Sequence, residues 1–472
     1  MTDLIGRTLQ RLGLQLSGRL SLPGDDRYAV ASAVWAKPVA AMPRAIAHCR
    51  TAQDVQSAVR AARECDLPLS VRAGGHDWAG RSLCGGLVID LTDMKRVDPY
   101  HENYSARVGG GARAADVLNA TDALGLAPVT GSVGAVGMTG LTLGGGYGPL
   151  IGRFGLALDN LLAAEVVLAD GRVVTATHGR DEELFWALRG GGGNFGVVTE
   201  MHLRLHYLPS VRSGMLIYPF AQARAVLQGC ADIAASAPDG LTAQVGFVAG
   251  PDGGPVAFVV PTWCGDPKEG EARIEPFLKL GTLLAGDVIT TSYQSSLTAF
   301  DDHIIDGQRV FMETCWLPAL DRQSIDAFIS AMEAAVSPGC AIFTHEFKGA
   351  ASRVAADATA FGLRDDHVLV EIFTTFPDQG NEREEQHHWQ WARTTLGSLD
   401  ALALPGGYPN LLGRHESERA LTSYGGNAER LIEAKRHYDP LNVFRSAIPI
   451  PTASGNTGRY REHLNERSIA NS

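Results

Sequence analysis

Three groups of residues in the 472-residue chain have types and spacing that could do chemistry. The first is the run Arg72-Ala73-Gly74-Gly75-His76-Asp77-Trp78-Ala79-Gly80. Gly74 and Gly75 permit positive φ and close backbone approach, so successive N–H groups can converge on an anion such as a pyrophosphate, with Arg72 adding charge. His76 is then a candidate for contact with a bound cofactor, the alternative being a solvated turn residue; Ala73, Asp77 and Gly80 complete the loop. The second group is the glycine-dense stretch from Thr130 to Gly148, which contains Gly131, Val136, Gly137, Gly140, Leu141, Gly144, Gly145 and Tyr147. So many glycines among apolar residues imply that something approaches the backbone closely, the alternative being a set of tight turns. The stretch lacks the Lys-Ser/Thr ending of a phosphate-binding P-loop. Its triple glycine does not follow the strand that a dinucleotide fingerprint demands, which disfavours a nicotinamide-binding fold.

The third group lies far downstream. In Thr344-His345-Glu346-Phe347-Lys348 a period of two puts Thr344, Glu346 and Lys348 on one strand face. If that face meets a ligand, Glu346 is a candidate base; if it meets water, it is a solvated surface. Tyr408 and Asn410 also share a face when extended, either as site residues or as a buried structural pair.

The elements that position these residues follow from hydrophobic periodicity. A capping box at Thr51 and Asp54 starts a helix that Pro68 ends, and strands at 69–71 and 87–91 flank the His76 loop, so the histidine sits on a turn carried by a packed scaffold. A helix is expected at 114–124. Asp170-Gly171 signals a type I′ hairpin between strands 164–169 and 172–176, Asp181 caps a helix at 182–188, and 197–205 alternates as a half-buried strand. From Pro209 the glycine loops disappear. Strands at 216–220, 243–248, 256–263, 309–317, 341–348 and 367–376, with helices near 221–235, 269–280 and 321–336, suggest an antiparallel sheet covered on one face. A last helix is expected at 427–438.

A formal net charge of -11 and the lack of a basic stripe argue against nucleic acid or an anionic membrane as main partner. Seven cysteines without a close pair suggest neither a zinc site nor a disulfide framework, and fit a reducing, cytoplasmic setting. The first twenty residues read as an amphipathic helix, not a signal peptide, and no run reaches the ~20 apolar residues of a spanning helix.

With both glycine stretches, Asn194-Phe195-Gly196-Val197-Val198 and Tyr438 to Arg445 taken together, the sequence resembles the FAD-linked oxidases of the berberine-bridge-enzyme type, in the superfamily of vanillyl-alcohol oxidase and p-cresol methylhydroxylase. The resemblance implies an α+β fold: an FAD-binding domain over 1–208, a substrate domain with an antiparallel sheet over 209–404, and a C-terminal return over 405–472. It implies that Arg72 to Gly75 hold the pyrophosphate and that His76 carries an 8α-histidyl bond to the flavin, with Asn160, Gly196 and Val198 among the cofactor contacts. Glu346, Tyr408 and Asn410 are implied to line the wall facing the flavin, with Glu346 or Tyr408 as base and Asn410 orienting a small-molecule substrate. Many relatives place a Cys where this chain has Val133, so a singly attached FAD is expected, as in the 6-hydroxynicotine-oxidase-like branch. Val136 leans towards an oxidase using O₂ and away from a dehydrogenase with another acceptor; a non-catalytic FAD-binding module is a further alternative. Ser446-Ala447-Ile448-Pro449 departs from the usual Asn-x-Asn near the flavin.

Overall fold

A computed structural model describes residues 2–450 apart from 38–41, 300, 302–306, 377–381, 414–415, 446 and 449. Of the C-terminal departure, Ser446 and Pro449 lie outside the described residues.

Three sheets organise the chain. In the first, strands Ala45–His48, Leu87–Asp90 and Leu69–Arg72 run parallel, and Leu20–Ser21 adds an antiparallel edge. The helix Ala52–Glu64 covers this sheet; it begins at the expected capping box, in which Thr51 Oγ1 accepts the Asp54 N–H and Asp54 accepts the Thr51 N–H. The opening helix, Thr2–Gln15, packs Leu9 and Leu12 into the same core, joined by Leu16 just past its end. The second sheet is an antiparallel order of Val97–Tyr100, Ser105–Gly109, Gly196–Arg204, Leu161–Leu168 and Val173–Thr177. The third is an all-antiparallel sheet whose main path runs through Leu216–Pro219, Pro255–Trp263, Leu241–Ala249, Cys340–Phe347, His367–Phe376 and Arg309–Leu317.

The third sheet has two different faces. Phe247, Val259, Cys315, Ile342, Val370 and Ile372 form one core with Val226, Phe277, Phe328 and Trp391 from the covering helices Ala223–Ala235, Gly270–Leu278, Arg322–Glu333 and Glu382–Leu399. The opposite face turns to the glycine-rich half, where Trp316, Phe347 and Leu369 share a core with Leu143, Tyr147 and Tyr408. The helix Glu382–Leu399 was not foreseen, although its buried residues His388, Trp391, Ala392, Thr395 and Leu399 repeat at helical spacing.

Two local expectations need correction. The turn at Asp170-Gly171 is a three-residue loop and not a type I′ turn: Leu168 N–H donates to Arg172 O at 2.9 Å, Gly171 N–H to Leu168 O at 2.9 Å, and only Gly171 has positive φ, +83°. Asp181 occupies the N-cap position of Glu182–Leu188 but is left-handed at φ 49° and makes no side-chain cap. Glu182 reaches back instead and accepts the Gly179 N–H.

The chain end is locked to the glycine-rich half by a fully buried ion pair. Lys435, on the helix Ala428–Tyr438, meets Asp439 at 2.6 Å and donates to the carbonyls of Asn194 and Phe444. Burial pulls the Lys435 pKa down, and the Asp439 carboxylate opposes that shift. Removing one partner strands a buried charge, so Asp439→Asn is expected to cost about 3–5 kcal/mol in denaturant unfolding.

Candidate active site

The two glycine segments touch backbone to backbone. A methyl group added to Gly74 would lie 2.5 Å from Gly137 Cα and N, and one added to Gly137 would lie 2.6 Å from Gly74 N. Much of what approaches these glycines is therefore other protein backbone. Arg113 ties the contact by donating to Gly74 O at 3.3 Å, and Met138 N–H donates to Ala112 O.

Around this contact the expected cofactor residues divide by role. Arg72 sits beneath the loop: its guanidinium is buried, pairs with Asp90 at 3.3 Å and donates to Ala33 O at 3.2 Å. It supports the loop and does not offer a free surface charge, although its Nε has no hydrogen-bond partner among the described residues. Ala73, half-buried, begins the bend above it. Asp77 spends its carboxylate inside the loop, accepting the Ala79 and Ser82 N–H groups, and Gly80 supplies positive φ at 68°. Thr130 bonds Gly131 O and the Tyr293 hydroxyl, and Gly148 packs on Thr130 O. Gly131 accommodates Leu141, and Val133 and Val136 are half-buried on the same segment. Asn160 is a brace: its amide donates to Phe154 O and Leu156 O, and its oxygen meets His206 at 2.8 Å, so the side chain is engaged within the protein. Gly196 and Val198 lie buried on the strand Gly196–Arg204, where Gly196 clears Val167 O.

Tyr408 and Asn410 come to the far end of the same glycine segment. The Tyr408 hydroxyl accepts the Gly146 N–H at 2.9 Å and the Asn410 amide at 3.1 Å, and Asn410 also donates to Gly140 O. Gly144 and Gly145 have no room for a side chain because Asn410 and Tyr408 occupy it, 2.1 Å and 2.9 Å from an added methyl. Burial pushes the Tyr408 pKa up to about 12 in spite of these donors, so the phenol keeps its proton at neutral pH. Beside it, with ring centroids 4.9 Å apart, Tyr147 meets His367 Nε2 at 2.7 Å. Burial takes the His367 pKa down to about 4, so the ring is neutral; its Nδ1 donates to Asp365 O and its Nε2 accepts from Tyr147.

Glu346 does not join them. It shares the helix-side face with Ile342, where its carboxylate pairs with Lys348 at 3.0 Å and accepts the Ala243 N–H at 3.3 Å. The cause is a split in the sheet. Strands Leu241–Ala249 and Cys340–Phe347 pair only at Gly246↔Phe343 and Phe247↔Ile342, and the Thr344 and Glu346 side chains serve the backbone groups of Val245 and Ala243 that the ladder leaves unmet. Glu346 nevertheless reaches the cleft wall beside His345. Burial raises the Glu346 pKa, with Lys348 opposing.

The cleft between the glycine segment and the sheet is lined by Ser132, Gly148, Gln244, Thr262, His345 and Glu346. His345 meets Glu371 of the neighbouring strand diagonally at 3.2 Å, and the Gln244 amide is 3.2 Å from the same imidazole nitrogen. A shallow groove over Tyr104, Arg204 and Tyr207 holds none of these groups. Glu371 had no motif to mark it; only the shift of one residue along each strand separates it from the helix side.

The fold and cleft define a class, the two-part flavoprotein oxidoreductases. The chain matches the model described as "FAD binding domain" over 43–177 and that described as "Berberine and berberine like" over 407–451. It is 30% identical over 449 residues to an FAD-linked oxidoreductase, YgaK, of Bacillus subtilis (strain 168), covering 93% of this chain and 97% of the relative. Among solved structures, 6-hydroxy-D-nicotine oxidase from Arthrobacter nicotinovorans superposes with a TM-score of 0.82 at 27% identity, over 92% of this chain and 98% of that one. A glucooligosaccharide oxidase from Acremonium strictum, described as carrying a 6-S-cysteinyl, 8α-N1-histidyl FAD, shares the fold with a TM-score of 0.80 at 23% identity, over 94% and 99%. This chain belongs to the berberine-bridge-like FAD-linked oxidoreductases: it is an enzyme and binds FAD.

The residues present fit that cofactor. Among the described residues, the Gly74 and Gly75 N–H groups donate to no backbone acceptor, the unmet Arg72 Nε lies below them, and Gly140 has open space where a side chain would be. Such a donor-rich concavity suits a pyrophosphate. Because Glu346 serves the sheet, Glu346→Gln is expected to lower stability by about 1–3 kcal/mol while leaving bound flavin intact, as read by thermal unfolding and the visible spectrum.

Proposed function

We propose that this enzyme is an oxidase with FAD attached covalently through His76, taking hydride from a C–H beside an O–H or N–H of a small alcohol, amine, sugar or secondary metabolite, with O₂ as acceptor. The observation that carries the reading is the glycine segment itself, which holds the Tyr408–Asn410 pair at Gly144 to Gly146 and, through Ser132 and Gly148, lines one cleft with His345 and Glu346 of the sheet. Bound FAD supplies the hydride acceptor.

The side chains supply the rest. Glu371 takes the O–H or N–H proton through His345, which lines the cleft 3.2 Å from that carboxylate, while Glu346 at the cleft wall is engaged by Lys348 and the Ala243 N–H. Tyr408 remains a phenol held by the Gly146 N–H and the Asn410 amide, and Asn410 orients substrate. Val133 removes the thioether that a Cys there would form, leaving His76 as the single tether. We assign residues 1–208 and 405–472 to cofactor binding and 209–404 to substrate.

Acid precipitation of the protein is expected to leave yellow colour with the wild-type chain and to release it from His76→Ala; release from both would refute the covalent bond. A panel of alcohols, amines and sugars should reduce the flavin and yield peroxide. Glu371→Gln should slow anaerobic flavin reduction about 10²–10⁴-fold, whereas Glu346→Gln should not.

A further inference from the structure

We propose that Trp35 is a positioning residue for attachment of the flavin to His76, an inference that rests on the covalent reading above. The indole of Trp35 and the imidazole of His76 are stacked, with ring centroids 4.2 Å apart and planes 9° from parallel. The same two segments are joined through the backbone, Trp35 N–H donating to Gly75 O at 2.9 Å. Trp35 is itself fixed from other sides: its carbonyl accepts the Gly307 N–H at 2.8 Å, Ala36 forms a bridge with Gln308, and Ala33 O accepts the Arg72 guanidinium.

A fixed wall matters at this place because the loop carrying the histidine is glycine-rich and enters its bend at Gly75 with φ of +73°. A half-exposed imidazole there has two side-chain torsions to settle. Face-to-face stacking restrains the ring plane without covering the ring nitrogens, because their lone pair and N–H point along the ring edge, away from the indole. Restricting the nucleophile to the plane from which it attacks lowers the orientational cost of bond formation. The sequence shows no link between positions 35 and 76; the parallel sheet and the loop returning over it make the contact.

In the step itself a His76 nitrogen bonds to the carbon of the flavin 8-methyl group. The methyl group and the imidazole each lose one proton, and the electron pair of the broken C–H bond enters the flavin ring system, leaving it reduced by two electrons. O₂ takes the two electrons and two protons as hydrogen peroxide, which restores oxidised, attached flavin. Trp35 enters none of these bonds; its role is to hold the attacking ring.

The test adds FAD to protein produced in riboflavin-starved cells and follows, over time, the flavin fluorescence that stays with the denatured chain, alongside the total FAD bound before denaturation. Trp35→Phe, which keeps a flat face, should attach flavin near the wild-type rate. Trp35→Leu should attach it about ten-fold more slowly, with FAD binding and melting temperature little changed, in keeping with the strength of one aromatic pair. Equal rates for Leu and wild type would overturn the proposal. If the Leu variant does not fold, Trp35→Met takes its place against Phe, and equal rates for those two would overturn it as well. A wild-type chain that never retains flavin after denaturation would instead defeat the His76 reading, and the wild-type sample alone reports that outcome.

Discussion

The backbone contact between Gly74 and Gly137 is the constraint on which the rest of the site depends. Neither position tolerates a Cβ, because each would strike the other strand of chain at 2.5–2.6 Å. This close approach sets the spacing between the histidine loop and the glycine segment. From there the segment carries its geometry forward: the helix Met138–Gly144 follows at once, and its end receives Asn410 and Tyr408. A side chain at either glycine would therefore act on the histidine loop and on the Tyr408 phenol together.

A second dependence runs through the large antiparallel sheet. Its helix-covered face is an ordinary apolar core, and the strands gain their rigidity there. The opposite face can then present half-exposed polar groups without loss of packing. Where the strands at 241–249 and 340–347 part, Thr344 and Glu346 bond the backbone groups of Val245 and Ala243, and Glu346 does so at the cleft wall. A buried carboxylate with a raised pKa is not sufficient to mark a catalytic acid or base, because its partners also count. Glu346 has the burial, and its carboxylate is engaged by Lys348 and the Ala243 N–H.

The C-terminal return joins these parts. Lys435 and Asp439 clamp the chain end onto Asn194, and Arg419 ties the start of the Tyr408 loop by donating to Gly406 O at 2.8 Å and Thr314 O at 2.6 Å. Tyr408 is therefore held between the glycine segment on one side and the edge of the sheet on the other. This arrangement accounts for a phenol that is buried and yet fixed by two donors.

By itself the sequence determined the glycine loops, the helix at the Thr51 capping box, most strands of the large sheet and the family, because these depend on local backbone freedom, on periodicity and on residues close together in the chain. Tyr408 and Asn410 were legible for the same reason, being two positions apart on one face. Tertiary structure alone decided that the strand at 340–347 parts from its neighbour at 241–249, so that both His345 and Glu346 line the cleft. It also decided that Arg72 is spent on Asp90, that Asn160 is spent on its own turn, and that Trp35 stands against His76. Each of those outcomes joins residues distant in sequence. Their partners are chosen by how the sheets pack, a choice that no local pattern records.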